Sequence, residues 1–300
     1  MSRTSSNSRV TWDDRIYYAV TEILLGILTL IVLLPLIHVV AASFSSPAAV
    51  VAGRVTLWPV DFSLRGYKAV FQYNSILIGY RNTILYTVLG TLINIIATLL
   101  AAYPLSKRDL PFKNGLMFLF TFTMFFSGGM IPNYLLLRDL RMLDSVWAMV
   151  IPGAISVYNM IIMRTFIQNS IPYELYEAAE IDGCNDFYYL WRIIIPLSKA
   201  SIAVITLYYA VGHWNSYFNA FLYLNNPNLK PLQIVLREIL ILNTVNQEQL
   251  LLADENIAQQ GMAELLKYSI IIVSSLPVLI MYPFVQRYFV KGVMIGSIKG

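Results

Sequence analysis

The chain alternates between long apolar stretches and shorter polar segments. Six of the apolar stretches are long enough to cross a bilayer core, which takes about twenty helical residues. They predict six transmembrane helices near Tyr18–Ala42, Ile76–Tyr103, Gly115–Tyr134, Ser145–Ile167, Ser201–Leu224 and Leu265–Tyr288. The prolines Pro35, Pro152 and Pro277 are expected to kink these helices without ending them, because hydrocarbon offers the backbone no other hydrogen-bond partner.

The composition indicates an all-α, polytopic membrane protein. Of 300 residues, 57% are hydrophobic and 13% are charged, whereas a soluble domain carries about 25% charged residues. The single cysteine, Cys184, excludes a disulfide within the chain. Basic residues are scattered along the sequence, so the composition favours no nucleic-acid partner.

Basic residues beside the spans predict the orientation, because short cytoplasmic connections are enriched in lysine and arginine. With the amino terminus inside, the cytoplasmic side receives Arg3, Arg9, Arg15, Lys107, Arg108, Lys113, Arg164, Arg192, Lys199, Arg287, Lys291 and Lys299. Both termini are then cytoplasmic. The predicted layout is a cytoplasmic amino-terminal segment, 1–17, followed by a single transmembrane domain, 18–300. Within that domain lie a cytoplasmic connection at about 168–200, an outer loop at about 225–264 and a cytoplasmic tail at about 289–300.

A polar island lies between the fourth and fifth predicted spans. Its residues predict a short helix, with Ser170 as the cap and Pro172 in the first turn. Glu174 and Glu177 would lie near the positive end of the helix dipole, and Gly183 would end the helix.

The small residues Ala178 and Ala179 would let another protein surface approach this helix closely. The island would then be a docking site. An ordinary amphipathic helix that joins two spans is the alternative.

The fifth predicted span has an unusually polar and aromatic interior. Polar groups inside a span are costly unless they face a partner or a water-filled cavity. Asn215 and Asn219 are four residues apart and would share one helix face. Aromatic rings and amide groups suit a sugar, which presents apolar C–H faces ringed by hydroxyls. With two residues of the fourth span, the candidate substrate pathway comprises Tyr158, Asn159, His213, Trp214, Asn215, Tyr217 and Asn219.

Two other interpretations of these residues remain open. They could hold helices together, or the tyrosines and tryptophan could form an interfacial belt. No metal site is expected, because no second histidine or carboxylate is spaced to assist His213.

The polar island resembles the EAA loop of bacterial ABC-importer permeases, the cytoplasmic segment that grips the ATPase. The resemblance rests on Glu177-Ala-Ala, on Gly183 with nine residues between it and Ile193, and on Pro196. Ile195 stands where leucine is commoner, and Ala200 where a second proline is frequent. The docking residues that the resemblance implies are Glu174, Glu177, Ala178, Ala179, Asp182, Gly183, Ile193 and Pro196.

A larger resemblance covers nearly the whole chain from the first span onward. The chain is similar to permeases of the LplC/YtcP type, in the carbohydrate-uptake branch of ABC importers. The segments that carry the similarity are Met124–Pro132, Ile151–Asn159, Ile162–Phe166, Ala210–Asn215, Pro231–Glu238 and Tyr288–Gly296.

This resemblance implies an ABC-importer permease fold and import of a di- or oligosaccharide through a bacterial plasma membrane. The implied partners are a second permease subunit, two ATPase subunits and an extracellular solute-binding protein, which the first and last outer connections would receive. A lid over the helix bundle is the alternative role for those connections.

The sequence contains no phosphate-binding loop motif. We therefore expect no cofactor on this chain and no enzymatic activity, with ATP and Mg bound by the partner ATPases. A permease for a non-sugar solute remains an alternative function, as does a secondary transporter. A secondary transporter would be expected to carry intramembrane acids for ion coupling, and most spans here lack a central Asp or Glu. The kind of saccharide is left open.

Overall fold

The computed structural model describes residues 12–240 and 257–297, with side chains at 12–240 and 261–283. All regular elements in this described part are helices. They are α1 (Trp12–Ser43), α2 (Pro47–Val51), α3 (Arg65–Gln72), α4 (Asn74–Ser106), α5 (Lys113–Phe125), α6 (Met130–Asp139), α7 (Trp147–Val150), α8 (Val157–Ser170), α9 (Glu174–Ile181), α10 (Asp186–Tyr189), a π-helical turn (Leu190–Ile194), α11 (Ile195–Leu197), α12 (Lys199–Trp214), α13 (Phe218–Tyr223), a 3₁₀ turn (Pro227–Leu229), α14 (described over 232–240) and α15 (Ile257–Ser297).

The described residues fall into two compact units, and each is described by itself. The first unit draws on Met1–Val70 and Asn243–Val273, and the second on Phe71–Leu242 and Ser274–Gly300.

In the first unit, the buried residues lie around the C-terminal end of α1. Ala41, Ala42, Ala49 and Val55 form a small buried cluster, with Tyr268 packed against it. The rest of α1 is apolar and exposed, as suits a helix surrounded by lipid.

Glycines allow close contact inside the first unit. At Gly261 of α15, a Cβ atom would lie 2.8 Å from the backbone oxygen of Pro47 in α2. At Gly66 of α3, a Cβ atom would lie 2.8 Å from Leu265 Cγ and closer still to Ser269 Oγ. At both glycines the helix backbone lies directly against atoms of the neighbouring helix, and a larger residue would prevent this contact.

In the second unit, α4 is the central helix. It packs along α12 and α8, and its buried positions include Asn82, Asn94 and Thr98. Around its second half lies a large apolar cluster, which joins Leu99 and Ala102 to Met160 of α8, Ile205 of α12 and Ala179 of α9.

Three helices of the described residues are long and apolar enough to cross a membrane: Trp12–Ser43, Asn74–Ser106 and Gly261–Pro283. Two bent helix pairs raise the number to five if each pair is one span: Lys113–Phe125 with Met130–Asp139, and Asp186–Leu197 with Lys199–Trp214. The structure therefore shows an all-α protein with three to five candidate spans.

The third predicted span is broken rather than continuous. Its two helices, α5 and α6, meet at an angle of 109°. Gly129 separates them with φ 89° and ψ 179°, a backbone conformation that is open almost only to glycine. The segment Ser127-Gly-Gly129 therefore ends a helix that the apolar pattern alone extends to Tyr134.

The fourth predicted span is also interrupted, and the expectation for Pro152 is wrong. Pro35 and Pro277 do lie inside helices, but Pro152 lies in the irregular segment between α7 and α8. Pro152 lacks an N–H, and Gly153 adopts the left-handed region with φ 74°. Together they stop the helix, and the chain restarts at Val157 with Ser156 capping α8.

The fifth predicted span ends as a helix at Trp214, where Asn215 is the C-cap residue of α12. Asn219 lies on the separate helix α13. The expectation that Asn215 and Asn219 share one helix face is therefore wrong. Asn and Ser side chains compete with helical hydrogen bonding, and Asn215 is followed by Ser216.

The backbone of the predicted cytoplasmic tail, 289–300, is helical up to Ser297, within α15. Residues 1–11 of the predicted amino-terminal segment, 241–256 of the predicted outer loop, and 298–300 lie outside the described residues.

The start of the predicted outer loop is held to the first half of α4 by hydrogen bonds. Asn82 Nδ2 donates to the backbone oxygens of Asn228 (2.7 Å) and Lys230 (3.1 Å), and Tyr86 Oη donates to Leu229 O (2.6 Å). Thr83 Oγ1 accepts from Leu232 N at 2.8 Å. This part of the loop is therefore a fixed element of the second unit.

We expect Asn82→Leu to release this segment. It removes two hydrogen bonds, at a cost of about 1–2 kcal/mol. Hydrogen exchange at residues 226–232 should become faster. Thr87→Val is the matched control, because the buried Thr87 hydroxyl has no hydrogen-bond partner among the described residues. If hydrogen exchange at residues 226–232 were as slow in Asn82→Leu as in Thr87→Val, Asn82 would not hold this segment.

Candidate functional site

The predicted docking helix is α9, Glu174–Ile181. Glu174 and Glu177 lie in its first turn, as predicted. The predicted cap is wrong: Ser170 is the last residue of α8, and Tyr173 occupies the N-cap position of α9 without a side-chain hydrogen bond.

The end of α9 explains why Gly183 stands at its position. Gly183 N donates to Glu180 O at 3.0 Å, and Cys184 N donates to Ala179 O at 2.8 Å. This is the Schellman pattern, which requires a left-handed residue after the C-cap. Gly183 supplies it with φ 72°, and no atom lies within 4 Å of where its Cβ would be. The requirement for glycine therefore comes from the backbone conformation.

The two faces of α9 differ sharply. Ala179 is 8% exposed and packs into the large apolar cluster, with Tyr176 against it. Glu177, Ala178 and Asp182 are exposed, and Ile181 is 86% exposed. The exposed face thus combines two acids and a small residue with an unburied branched side chain.

Further apolar side chains continue this exposed surface after Gly183. Phe187 and Tyr188 of α10 and Trp191 of the π-helical turn are each about half exposed or more, at 65%, 55% and 49%. Aromatic residues are enriched where proteins bind one another.

The positions of Ile193 and Pro196 have a structural reason. The π-helical turn Leu190–Ile194 directly precedes α11, which contains Pro196. A proline has no N–H and clashes with the fourth preceding carbonyl, so a widened turn before it relieves the helix. Ile193 is half-buried against the large apolar cluster. Between Asp186–Leu197 and α12 the chain then bends by 85°.

A cluster around Lys107 connects α9 to α4. Lys107, the C-cap residue of α4, forms an ion pair with Asp186 of α10 and donates to Tyr176 Oη of α9 at 3.2 Å. Its ammonium lies 5.2 Å from the ring centroid of Tyr103 and 4.7 Å from that of Tyr176. Tyr103 Oη donates to Asp186 Oδ1 at 2.9 Å, and Tyr189 packs on Tyr103 and Tyr176. We call these five residues the Lys107 cluster.

Lys107 keeps its charge in this cluster. Burial lowers the pKa of Lys107, but the hydrogen bonds to Asp186 and Tyr176 raise it further, so the pKa lies above its ordinary value. The stabilisation from this interaction is present below the pKa of an unfolded lysine, and is lost as the pH rises through the folded value. The ion pair therefore holds at neutral pH.

A second set of contacts surrounds the Lys107 cluster. Tyr173 Oη donates to Asp109 Oδ2 at 2.8 Å, and Arg108 lies 4.3 Å from the Tyr173 ring centroid. The bond to Asp109 raises the pKa of Tyr173 to about 12. From α8, Arg164 Nε and Gln168 Nε2 donate to the last carbonyls of α4, those of Leu105 and Ser106. A cavity of about 470 Å³ lies among these elements.

Another cavity, of about 290 Å³, lies between α4, α8, α12 and α13. We call it the polar cavity. Three of the predicted pathway residues line it together: Asn159, His213 and Asn219. The remaining lining residues include Asn94, Ser156, Tyr208, Tyr209 and Ser216. Uncharged hydrogen-bonding groups and aromatic rings thus share one space.

The structure places the other predicted pathway residues elsewhere. Trp214 is buried, donates from Nε1 to Ser274 O at 3.2 Å, and lines a separate cavity with Asn215. Tyr217 stacks on Phe221 with Arg237 over both rings. Tyr158 is 56% exposed and does not line the polar cavity.

The sequence reasoning missed Asn94. Its Nδ2 donates to Gly153 O at 3.0 Å and to Ala154 O at 2.9 Å, and its Oδ1 accepts from His213 Nε2 at 2.6 Å. An asparagine in the interior of the second predicted span is the pattern that could have identified it. A second polar link follows along α4, where Thr98 Oγ1 and Tyr209 Oη lie 2.7 Å apart.

Within the described residues, no group of three or more His, Cys, Asp or Glu side chains could hold a metal ion. What the site offers chemically is therefore hydrogen bonding in the polar cavity and a partly apolar, acidic surface on α9.

Comparisons with known proteins identify relatives of this chain. No model of a protein family matches the chain. The chain is 43% identical to the polygalacturonan/rhamnogalacturonan transport system permease protein YtcP of Bacillus subtilis, over 90% of this chain and 94% of that protein. It is 40% identical to the protein LplC of the same organism, over 97% of each.

A solved structure gives the same result. The crystal structure of a bacterial ABC transporter involved in the import of the acidic polysaccharide alginate contains a chain with 38% identity and a TM-score of 0.83. The match covers 93% of this chain and 98% of that one. Such homologues are transport subunits of larger complexes rather than enzymes. The chain therefore belongs to the family of inner-membrane permease subunits of carbohydrate ABC transporters that includes YtcP and LplC.

Proposed function

We propose that this chain is one permease subunit of an ATP-driven importer of di- or oligosaccharides. A second permease subunit, two ATPase subunits that bind ATP and Mg, and an extracellular solute-binding protein would complete the complex. The observation that carries the proposal is the polar cavity, where Asn94, Asn159, His213 and Asn219 lie together. Amide and imidazole groups beside Tyr208 and Tyr209 suit the hydroxyls and C–H faces of a sugar.

Six spans would complete the membrane domain. Helices α1, α4 and α15 supply three, and the bent pairs supply two more. The sixth would be the segment of α7 and α8, which is interrupted at Pro152. The broken helices suit a transport pathway, because irregular backbone inside a membrane is tolerated where it lines a cavity. In this arrangement both termini and α9 are cytoplasmic.

The exposed face of α9 would receive the ATPase. Its acidic first turn, exposed Ala178 and unburied Ile181 favour docking to a partner cleft. Closure of the ATPase dimer would then move α9 and switch the polar cavity between outward and inward access, a two-state change biased by nucleotide.

The sugar class follows from chemistry and from the relatives. The names of two relatives mention transport or import of acidic polymers, polygalacturonan and alginate. The described lining of the polar cavity contains no lysine or arginine. We propose that the cavity binds sugar hydroxyls, and that uronate-containing oligosaccharides are the first class to test.

The test is ATP hydrolysis by the reconstituted complex with its cognate binding protein. Neutral and uronate oligosaccharides are added in turn. We expect hydrolysis to rise with a uronate oligosaccharide. No response to any sugar would overturn the carbohydrate assignment.

The docking proposal predicts the effect of Ile181→Glu. A charge at this exposed position would weaken ATPase association by about 2 kcal/mol, which is about thirtyfold. Co-purification of the ATPase subunits with the permease measures it. The matched control is Phe112→Glu, since Phe112 is 88% exposed but lies outside the docking segment. Full retention of the ATPases by Ile181→Glu would contradict docking through α9.

A further inference from the structure

The Lys107 cluster joins three separate parts of the chain at one cation. Lys107 ends α4, Tyr176 belongs to α9, and Asp186 begins α10. A lysine has three N–H donors, and here they serve Asp186 and Tyr176. Any displacement of α9 or α10 relative to α4 must break or move these contacts.

The stretch of chain that joins α9 to α12 is irregular. It passes a left-handed glycine, a π-helical turn and an 85° bend before α12 begins. In contrast, α4 is one continuous helix from Asn74 to Ser106. A continuous helix carries a displacement over its length better than a chain of bends.

The same helix reaches the polar cavity. Asn94 of α4 holds His213 and the carbonyls of Gly153 and Ala154, and Thr98 holds Tyr209. Tyr209 Oη in turn accepts from Ser156 N at 3.0 Å. A contiguous set of packed and hydrogen-bonded residues therefore runs from the Lys107 cluster to the cavity lining.

We propose that the Lys107 cluster transmits movement of the docking helix to α4 and thereby to the polar cavity, with Lys107 and Asp186 as positioning residues for coupling. The inference rests on the proposed function. It assigns a role in coupling to the connection between α4 and α5, in addition to the docking segment itself.

Stability and coupling are separable at this site. Asp186 is largely exposed, at 60% of its side chain, and ion pairs of this kind contribute little to stability. A variant that loses the charge should therefore still fold. The methionine of Lys107→Met fills the same space between the aromatic rings and removes both the charge and the donors.

The experiment uses the full complex with both permease subunits, the ATPases and the binding protein. We expect Lys107→Met to retain its ATPase subunits, while the stimulation of ATP hydrolysis by loaded binding protein falls about tenfold. Asp186→Asn should lower the stimulation by a similar factor. The double variant should lower it no further than either single variant, because the same contact is lost in all three. Lys107→Arg, which keeps the charge and can stack on the rings, should restore most of the stimulation.

The matched control is Lys267→Met. Lys267 is as buried as Lys107, with 14% against 16% of the side chain exposed, and its ion pair with Glu264 stays within one helix. Since that pair joins no separate elements, the stimulation ratio should not change.

Three results would overturn the proposal. They are wild-type stimulation in Lys107→Met, an equal loss in Lys267→Met, and loss of the ATPase subunits from Lys107→Met, which would make Lys107 part of the docking surface. Failure of the proposed function is recognised separately, because the wild-type complex would then show no rise in ATP hydrolysis with any sugar.

Discussion

Replacement of Gly90 by alanine is expected to disrupt the polar cavity and to lower transport sharply. Gly90 lies on α4 against the His213 ring of α12. An alanine Cβ would lie 2.9 Å from His213 Cδ2 and closer still to Cε1 and Nε2. The ring is held by its bond to Asn94, so it can move away only by losing that bond. Overpacking of this kind costs about 1–3 kcal/mol.

Gly212→Ala is the matched control for this prediction. Gly212 lines the same cavity, but no atom lies within 4 Å of the place its Cβ would take. Sugar uptake and the thermal unfolding midpoint of the complex are measured for both variants. Uptake by Gly90→Ala at the level of Gly212→Ala would show that the His213 position does not matter.

Replacement of Asn94 by leucine is the second change with a large expected effect. It removes three hydrogen bonds and leaves the carbonyls of Gly153 and Ala154 and the His213 ring without this partner. Interhelical hydrogen bonds in membranes average about 0.6 kcal/mol, so three amount to about 2 kcal/mol before any cost of unpaired groups. We expect a lower unfolding midpoint together with loss of uptake.

Two further variants separate the contributions at Asn94. Asn94→Asp keeps an acceptor for His213 but loses both donors to the carbonyls, so a partial effect is expected. Thr91→Val, one turn away, removes a buried hydroxyl that has no hydrogen-bond partner among the described residues, and should be nearly neutral. If Asn94→Leu were as stable and active as Thr91→Val, the proposed role of Asn94 would be wrong.

The predicted docking segment shows how far local sequence predicts local structure. Glu174, Glu177 and Gly183 lie in α9 and its terminus as their residue types predict, because the helix dipole and the left-handed turn are local effects. The Ser170 cap failed because α8 continues through Ser170. A neighbouring helix, which is a tertiary feature, decided that boundary.

The residues of the predicted substrate pathway show where local sequence fails to predict structure. Asn159, His213 and Asn219 share the polar cavity, while Trp214 and Asn215 line another. Helical periodicity assumed an unbroken fifth span, and the break after Trp214 redirects every residue that follows. Asn94 was missed because its hydrogen-bond partners, Gly153, Ala154 and His213, are distant in sequence.

By itself, the sequence determined the membrane class, the long apolar helices α1, α4 and α15, the short helix α9 with its glycine stop, and the family. These follow from hydrophobic length, composition and short-range backbone preferences. Only the tertiary structure decided which polar groups face one cavity and that Lys107 meets Asp186 and Tyr176. Those outcomes depend on packing between segments far apart in the chain, which no local pattern encodes.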